Sequence, residues 1–310
     1  MQHPLTTNTI EGSSMNADPK LFRHLDSVLV ESIFWDERYD EVSWVDITTG
    51  TFHRARLDGA VDGSDDRVVE LPAPMSAVQP AHGGGFVAAL KDRIVSLDAE
   101  GAITGTIAEV EHAHAGIRFN EGKVDPFGRF IVGGMDVTSA NPDAALYAFS
   151  ADERPEVLRG GFGVANGFEW AADGGEMYVT DTSTKTVYRA PYGPGRGELG
   201  ELEPYLRGYD SDGLVRDVDG CFWNAVYGGG EVLRWSPDGE VIARLAVPAP
   251  NLTSVALGGR ERRTLFVGSA RENLSEDDLR AAPLSGSIFT IDVDTAGRAV
   301  GVFGETSPGR

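Results

Sequence analysis

The sequence has little cysteine, no long apolar run and a deficit of positive charge. A single cysteine, Cys221, among 310 residues excludes an internal disulfide framework and a cysteine-rich zinc site. No apolar stretch reaches the roughly 18 residues that a membrane-spanning helix needs. The 27 basic side chains are outnumbered by 48 acidic ones, and the net charge of −21 argues against nucleic acid and an anionic membrane as partners.

The first residues of the chain also lack a recognisable targeting segment. Residues 1–20 are polar and contain no apolar stretch of the kind found in secretory signals. We therefore expect a cytoplasmic protein with a flexible tail over residues 1–20. The remaining residues, 21–310, are expected to form a single domain with a large core.

Helical periodicity is scarce, and segment 275–284 (SEDDLRAAPL) is the clearest helix-like stretch. The rest is typical of short strands separated by turns rich in Asp, Gly and Pro. A turn followed by a strand recurs about every 41 to 47 residues, near positions 37, 82, 126, 173, 219 and 260. Six such units of about four strands each predict an all-β fold, a six-bladed β-propeller. A two-domain β-sandwich would use the same strands but would not explain the constant period.

The ring of blades must be closed without a disulfide, because only one cysteine is present. We therefore expect the two ends of the chain to share strands of one blade. The segment 22–30 is predicted to pair close to SIFTIDV at 287–293.

The repeat places polar residues at one phase of the predicted inner strands. These residues are Glu31, Asn120, Asn166, Asp212 and Thr253. Equivalent positions in different blades should bring their side chains to one mouth of the central channel. Carboxylate and carboxamide oxygens are the ligands that Ca²⁺, Mg²⁺ and Mn²⁺ prefer, whereas zinc usually recruits His or Cys. Asn and Asp also cap turns, but their recurrence in register favours a metal site at the channel mouth.

Five stretches of the chain carry a resemblance to a known family. They are residues 31–54, 118–136 (RFNEGKVDPFGRFIVGGMD), 165–182 (ANGFEWAADGGEMYVTDT), 211–240 and 251–259. In these motifs the chain resembles the SMP-30/gluconolactonase/luciferin-regenerating family, which includes regucalcin and bacterial sugar lactonases. The family fold is a six-bladed propeller, which agrees with the repeat.

The resemblance also implies a site. The metal ligands fall on Glu31, Asn166 and Asp212, with Asn120 beside the metal as a substrate contact or further ligand. The implied cofactor is one divalent cation, calcium, or in its place zinc, manganese or magnesium. Three positions depart from the family pattern, since Ile33 replaces a usual proline, Glu121 a more frequent Asp, and SDGL at 211–214 the usual PDG. None of these departures removes a ligand.

A divalent cation at the channel mouth would polarise the carbonyl of a lactone and position a water. Asp212 would be both ligand and general base. Arg118 and Asn120 lie two residues apart, so they can project to the same side of a strand. By resemblance they would bind the hydroxyls or carboxylate of a sugar-derived substrate, with Glu121 as a further contact.

We therefore expect a metal-dependent hydrolase that opens a small-molecule aldonic lactone. An esterase or phosphotriesterase with a similar metal centre stays an alternative, as does a non-catalytic, calcium-binding propeller. The sequence contains no G-x-S-x-G, H-E-x-x-H or P-loop motif. It leaves undecided the oligomeric state and whether three side chains line the pocket, namely His112, His114 and Asp181.

Overall fold

The computed structural model describes residues 18–151, 153–195 and 198–305. Within these residues, 24 strands form six antiparallel four-stranded sheets. The first strands of successive sheets contact one another around a central channel, so the molecule is a six-bladed β-propeller, as the repeat predicts. The predicted tail, 1–20, lies outside the described residues except for positions 18–20.

Most blades consist of four consecutive strands that run from the channel outward. The chain starts with β1 (Lys20–Arg23), which belongs to the last blade. Blade 1 comprises β2 (Val30–Asp36), β3 (Glu41–Asp46), β4 (Thr51–Arg56) and β5 (Arg67–Glu70). Blade 2 comprises β6 (Met75–Pro80), β7 (Phe86–Leu90), β8 (Arg93–Leu97) and β9 (Ile103–Glu109). Blade 3 comprises β10 (Ile117–Val124), β11 (Phe130–Asp136), β12 (Ala144–Phe149) and β13 (Glu156–Phe162).

The second half of the ring repeats this order. Blade 4 comprises β14 (Ala165–Trp170), β15 (Glu176–Asp181), β16 (Thr186–Pro191) and β17 (Glu203–Arg207). Blade 5 comprises β18 (Ser211–Arg216), β19 (Phe222–Val226), β20 (Glu231–Trp235) and β21 (Val241–Ala246). Blade 6 comprises β22 (Leu252–Gly258), β23 (Thr264–Ser269), β24 (Ile288–Asp292) and, on its outer side, β1.

Blade 6 therefore closes the ring with strands from both ends of the chain, as predicted. Lys20 lies opposite Thr290 and Leu21 opposite Phe289, so the pairing segment begins earlier than the predicted 22–30. The reason is that Arg23, at the end of β1, is anchored in blade 1, where its guanidinium pairs with Asp66 at 2.9 Å. After Arg23 the chain leaves the sheet edge and enters β2.

A single short α-helix occurs in the described residues, and it falls within the helix-like segment 275–284. This helix, α1 (Glu276–Ala281), is capped by Ser275, whose hydroxyl accepts from the Asp278 N–H while the Asp278 carboxylate accepts from the Ser275 N–H. With six residues, it is too short to cross a membrane, and no other described helix is long and apolar enough to do so.

The core lies between neighbouring blades rather than in one central cluster. Trp44 and Trp223 are completely buried, and each belongs to an apolar cluster shared by two adjacent sheets. A blade is thus stabilised through both of its faces by its neighbours. This arrangement keeps the inner strands at fixed positions around the channel, where the candidate site is built.

Candidate functional site

The inner strands share one irregularity. In all six, the pairing register with the second strand shifts in the first half of the inner strand, for example between Glu31 and Phe34 in β2 and between Ser211 and Leu214 in β18. Such β-bulges turn side chains away from the direction that a regular pleat would give them. In β2, β10, β14 and β18, the bulges occur at the polar residues singled out in the sequence, namely Glu31, Asn120, Asn166 and Asp212.

The bulge of β2 contains a residue in the left-handed region of backbone conformation. Ser32 has a φ of 53°, which is unusual for a residue other than glycine. Its hydroxyl donates to the Val78 carbonyl oxygen at 3.0 Å and accepts from the Val78 N–H at 3.0 Å. The Ser32 N–H in turn donates to the Glu31 carboxylate at 3.2 Å. Blade 2 thus holds the backbone that orients Glu31.

Glycine is required next to Asn166 because two inner strands approach closely there. Gly167 has a φ of 23°, and a Cβ atom on it would lie 2.5 Å from the Asp212 carbonyl oxygen and 2.8 Å from the Leu214 Cβ. The close approach of β14 to β18 places Asn166 and Asp212 side by side.

Replacing Gly167 tests this packing. We expect Gly167→Ala to lower the free energy of unfolding by about 1–3 kcal/mol, because the added methyl group overpacks a backbone contact. Chemical denaturation followed by tryptophan fluorescence measures the effect. Gly160→Ala is the matched control, since a Cβ there meets nothing within 4 Å. An equal loss in both variants would contradict the close approach.

A pocket of about 170 Å³ occupies the channel mouth at the start of the inner strands. Five of the residues singled out in the sequence line this pocket together, namely Glu31, Arg118, Asn120, Asn166 and Asp212. Thr253, at the equivalent position of β22, instead donates its hydroxyl proton to the Val30 carbonyl oxygen and is completely buried. The repeat therefore identified the inner wall of one pocket. In the sixth blade, the equivalent residue Thr253 connects two inner strands and does not line the pocket.

The two carboxylates of this wall are buried without a full set of partners. Glu31 and Asp212 are only 7 % and 6 % exposed. Burial and the nearby charges of Asp212 and Glu121 raise the pKa of Glu31 well above its usual value. Burial, with Glu121 and Glu272, likewise raises the pKa of Asp212. Among the described residues, the Asp212 Oδ1 atom has no hydrogen-bond partner. These features are typical of a site built for a cation.

A directional chain of hydrogen bonds orients the carboxamides. The Arg118 guanidinium donates to Asn120 Oδ1 at 2.8 Å, and Asn120 Nδ2 donates to Asn166 Oδ1 at 2.7 Å. Asn166 Nδ2 then donates to the Thr182 hydroxyl at 3.0 Å, which donates to the Ser211 carbonyl oxygen at 2.6 Å. Because the guanidinium can only donate, it determines the orientation of both amides. Each amide oxygen keeps a second lone pair for a further partner.

Glu121 lies deeper in the channel than this pocket. Its carboxylate accepts from the Gly122 N–H at 2.8 Å, and burial raises its pKa to about 7 despite the nearby charge of Lys123. It does not line the pocket, yet its charge acts on both Glu31 and Asp212. The predicted contact between Glu121 and substrate stays a prediction.

Sequence reasoning missed the outer rim of the pocket. Met135, Thr182, Tyr227 and Glu272 line it, and each lies within or just after the end of its blade's second strand. They are 45 to 47 residues apart, so they follow the same repeat as the inner wall. The spacing of these rim residues follows the blade repeat, but the four side chains have no functional group in common that would have drawn attention to them.

Three side chains left undecided by the sequence do not line the pocket. Asp181 accepts from the N–H groups of Gly163, Val164 and Ser183 and so caps the 3₁₀ turn that follows β15. His112 packs edge-on against Phe119, with 5.1 Å between ring centroids. These two residues stabilise loops around the site.

His114 belongs to a group that also contains the buried Asp136 and the exposed Asp143, and the ligand atoms of the three residues lie within 4.8 Å of one another. The Gly116 N–H donates to His114 Nδ1 at 3.1 Å, so the neutral ring carries its proton on Nε2, which faces Asp143 at 3.9 Å. Neither nitrogen then offers a free lone pair. The channel pocket is therefore the better candidate for a metal.

Comparison with known proteins identifies the family of the chain. Residues 29–271 match the family model described as the SMP-30/gluconolactonase/LRE-like region. The chain belongs to this family. The 6-deoxy-6-sulfogluconolactonase of Pseudomonas putida is 36 % identical over 296 residues, which cover 93 % of this chain and 99 % of that protein. The L-arabinolactonase of Azospirillum brasilense is 32 % identical over 291 residues, which cover 91 % of this chain and 94 % of that protein.

Solved structures of the family resemble this chain closely. A calcium-binding protein, regucalcin, from Agrobacterium tumefaciens superposes with a TM-score of 0.84 at 27 % identity, over 91 % of this chain and 96 % of that one. The family assignment and the propeller predicted from the sequence are thus confirmed. Several family members are lactonases, which agrees with the predicted class of reaction.

Proposed function

We propose that this protein is a divalent-metal-dependent lactonase that opens the lactone of an aldonic acid. The observation that carries the proposal is the pair of buried carboxylates, Glu31 and Asp212, at the channel mouth, with Asp212 Oδ1 lacking a partner in the described residues. The lactonases among the relatives of this chain support the choice of substrate class.

The donor set of the pocket fits one divalent cation. Glu31 and Asp212 provide two negative charges, and Asn166 provides a neutral oxygen, with Asn120 beside it. Such all-oxygen sets suit Ca²⁺, Mg²⁺ or Mn²⁺. The calcium-binding relative of known structure supports calcium. When bound, the cation would polarise the lactone carbonyl and lower the pKa of a water molecule.

The residues of the chain would have distinct roles. Asp212 would accept a proton from the attacking water, because its carboxylate faces the pocket and is not fully engaged by hydrogen bonds. Arg118 and Asn120 would orient the substrate through its hydroxyl or carboxyl oxygens. Glu272 and Tyr227, on the rim, would contact the part of the sugar acid that lies away from the reacting carbonyl.

A change at Arg118 tests substrate binding separately from metal binding. We expect Arg118→Ala to raise KM about ten- to a hundredfold, which corresponds to the loss of a charge-assisted hydrogen bond. Metal affinity should not fall, because the amide groups keep their bonds from Asn120 Nδ2 to the Ala165 carbonyl oxygen and from Asn166 Nδ2 to the Thr182 hydroxyl, and because the variant removes a positive charge from the pocket. Arg118→Lys, which keeps the charge, should lose less. Weakened metal binding with an unchanged KM would assign Arg118 to the metal site instead.

Substrate profiling tests the proposed reaction itself. The purified protein is assayed with gluconolactone, arabinonolactone and 6-deoxy-6-sulfogluconolactone, with an aryl ester and with a phosphotriester, each with and without EDTA. The proposal predicts EDTA-sensitive opening of at least one aldonic lactone and far lower rates on the other two classes. Preference for the ester or phosphotriester would replace the lactonase assignment. Inactivity on every class with bound metal would favour a non-catalytic calcium-binding propeller.

A further inference from the structure

A second pocket, of about 230 Å³, lies at the opposite mouth of the channel. It is lined by residues from the later parts of all six inner strands, whereas the first pocket is lined by residues from the first halves of four of them. The two pockets are therefore separated by the channel, with Glu121 between them. Nothing in the proposed lactonase reaction uses this second pocket.

The chain that follows β24 covers this opposite mouth. We call residues 294–305 the C-terminal strap. Its backbone is bonded to blade 5, where the Val218 N–H donates to the Ala296 carbonyl oxygen at 2.9 Å. Further along, the Phe303 N–H donates to the Pro80 carbonyl oxygen in blade 2 at 2.8 Å. The strap thus forms one wall of the second pocket, and it carries Arg298 to the pocket.

Two guanidinium groups converge in this pocket. Arg216, at the end of β18, and Arg298, on the strap, both donate to the Trp170 carbonyl oxygen, at 3.3 and 3.4 Å. Arg216 is further positioned by the Phe222 ring, whose centroid lies 5.4 Å from the guanidinium carbon. In the described part of the chain, neither arginine forms an ion pair. Two like charges thus meet at one acceptor without a counter-charge of their own.

The two carboxylates that also line this pocket are already engaged. Glu169 pairs with the Lys123 ammonium group, and Asp125 pairs with Arg129 at 2.8 Å while accepting from the Tyr192 hydroxyl at 2.7 Å. Glu169 attracts Arg298 only through space, as do Asp217 and Asp173, and the charged side chains that line the pocket leave it one positive charge in excess. In a protein of net charge −21, such a cationic pocket stands out from its surroundings.

We propose that the pocket between the strap and the propeller binds a small organic carboxylate through Arg216 and Arg298. Guanidinium groups match the geometry of a carboxylate and bind it with paired hydrogen bonds. The remaining wall is largely apolar, with Phe34, Trp170 and Val255 among its residues, so the ligand should also have an apolar body. A volume of about 230 Å³ accommodates a molecule of the size of benzoate.

Calorimetric titration of the calcium-loaded full chain with benzoate tests this proposal, with benzamide as the neutral analogue at the same ionic strength. We expect benzoate to bind at least about tenfold more tightly than benzamide, because only the carboxylate forms charge-assisted hydrogen bonds. Arg298→Gln should weaken benzoate binding about ten- to a hundredfold and leave the lactonase rate unchanged. Arg298 contributes one hydrogen bond to the described fold, so this variant should remain folded.

Two controls separate a specific site from general electrostatics. Arg244→Gln removes an exposed arginine of blade 5 with the same change in net charge and should leave benzoate binding unchanged. Arg298→Lys keeps the charge but lacks the planar guanidinium that can form two parallel hydrogen bonds, so it should bind benzoate with intermediate affinity. Equal affinity of the wild type and Arg298→Gln, or no benzoate binding up to about 10 mM, would overturn the proposal. So would binding that EDTA abolishes while Arg298→Gln does not, since the carboxylate would then sit at the metal.

Discussion

At saturating metal, Asp212→Asn should still bind the cation, although with an affinity weakened by the lost ligand charge, and should lose turnover on the order of 10²–10⁴-fold, the usual contribution of general acid–base catalysis. The asparagine keeps a side-chain oxygen for the cation, yet it cannot accept the proton of the attacking water. Asp212→Ala removes both functions and should lose metal as well. The two variants are compared by lactone hydrolysis at saturating metal, corrected for spontaneous ring opening, and by calorimetric metal titration.

A matched control for this experiment is Asp181→Asn. Asp181 is equally buried, at 3 % exposure, but it caps the turn after β15 and does not line the pocket. Its replacement should affect stability with little change in turnover at saturating metal. Full activity of Asp212→Asn would remove the general-base role and leave activation by the cation alone.

Glu31→Gln should lower the affinity for the metal rather than the rate of the chemical step at saturating metal. Removing one of the two ligand charges is expected to weaken metal affinity by at least about tenfold, since affinity in oxygen sites follows the charge of the ligands. Excess metal should then restore much of the rate, which it cannot do for Asp212→Asn. Activity measured across a metal titration separates the two behaviours.

Glu272→Gln provides the comparison for Glu31→Gln. It removes a carboxylate from the rim of the same pocket without removing a proposed ligand. We expect a smaller change in metal affinity, because only the longer-range attraction between the charges is lost. If Glu272→Gln weakened metal binding more than Glu31→Gln did, Glu272 would have to be counted among the metal ligands.

The repeat made the fold and the inner wall of the site predictable. Equivalent positions in successive blades have equivalent positions in space, so Glu31, Asn166 and Asp212 could be brought together by their spacing alone. The same period runs through Met135, Thr182, Tyr227 and Glu272. No functional group is common to all four side chains, and a repeat is difficult to recognise when only the backbone position is maintained.

Other features depend on contacts that spacing does not encode. The bulges of the inner strands are a property of pairing register, which is decided by both strands together. The C-terminal strap, 294–305, has no strand-like pattern, and its course is determined by hydrogen bonds to four different blades. Arg216 and Arg298 therefore could not be placed in one pocket from the sequence.

The central claim is that a divalent cation in the channel mouth activates lactone hydrolysis. Its most direct test is a calcium titration of EDTA-dialysed wild-type protein during hydrolysis of an aldonic lactone, with metal content measured by mass spectrometry. We predict that the metal-free protein is inactive and that the rate returns to its maximum with one equivalent of bound calcium. Undiminished lactone hydrolysis by protein shown to contain no divalent metal would contradict the claim.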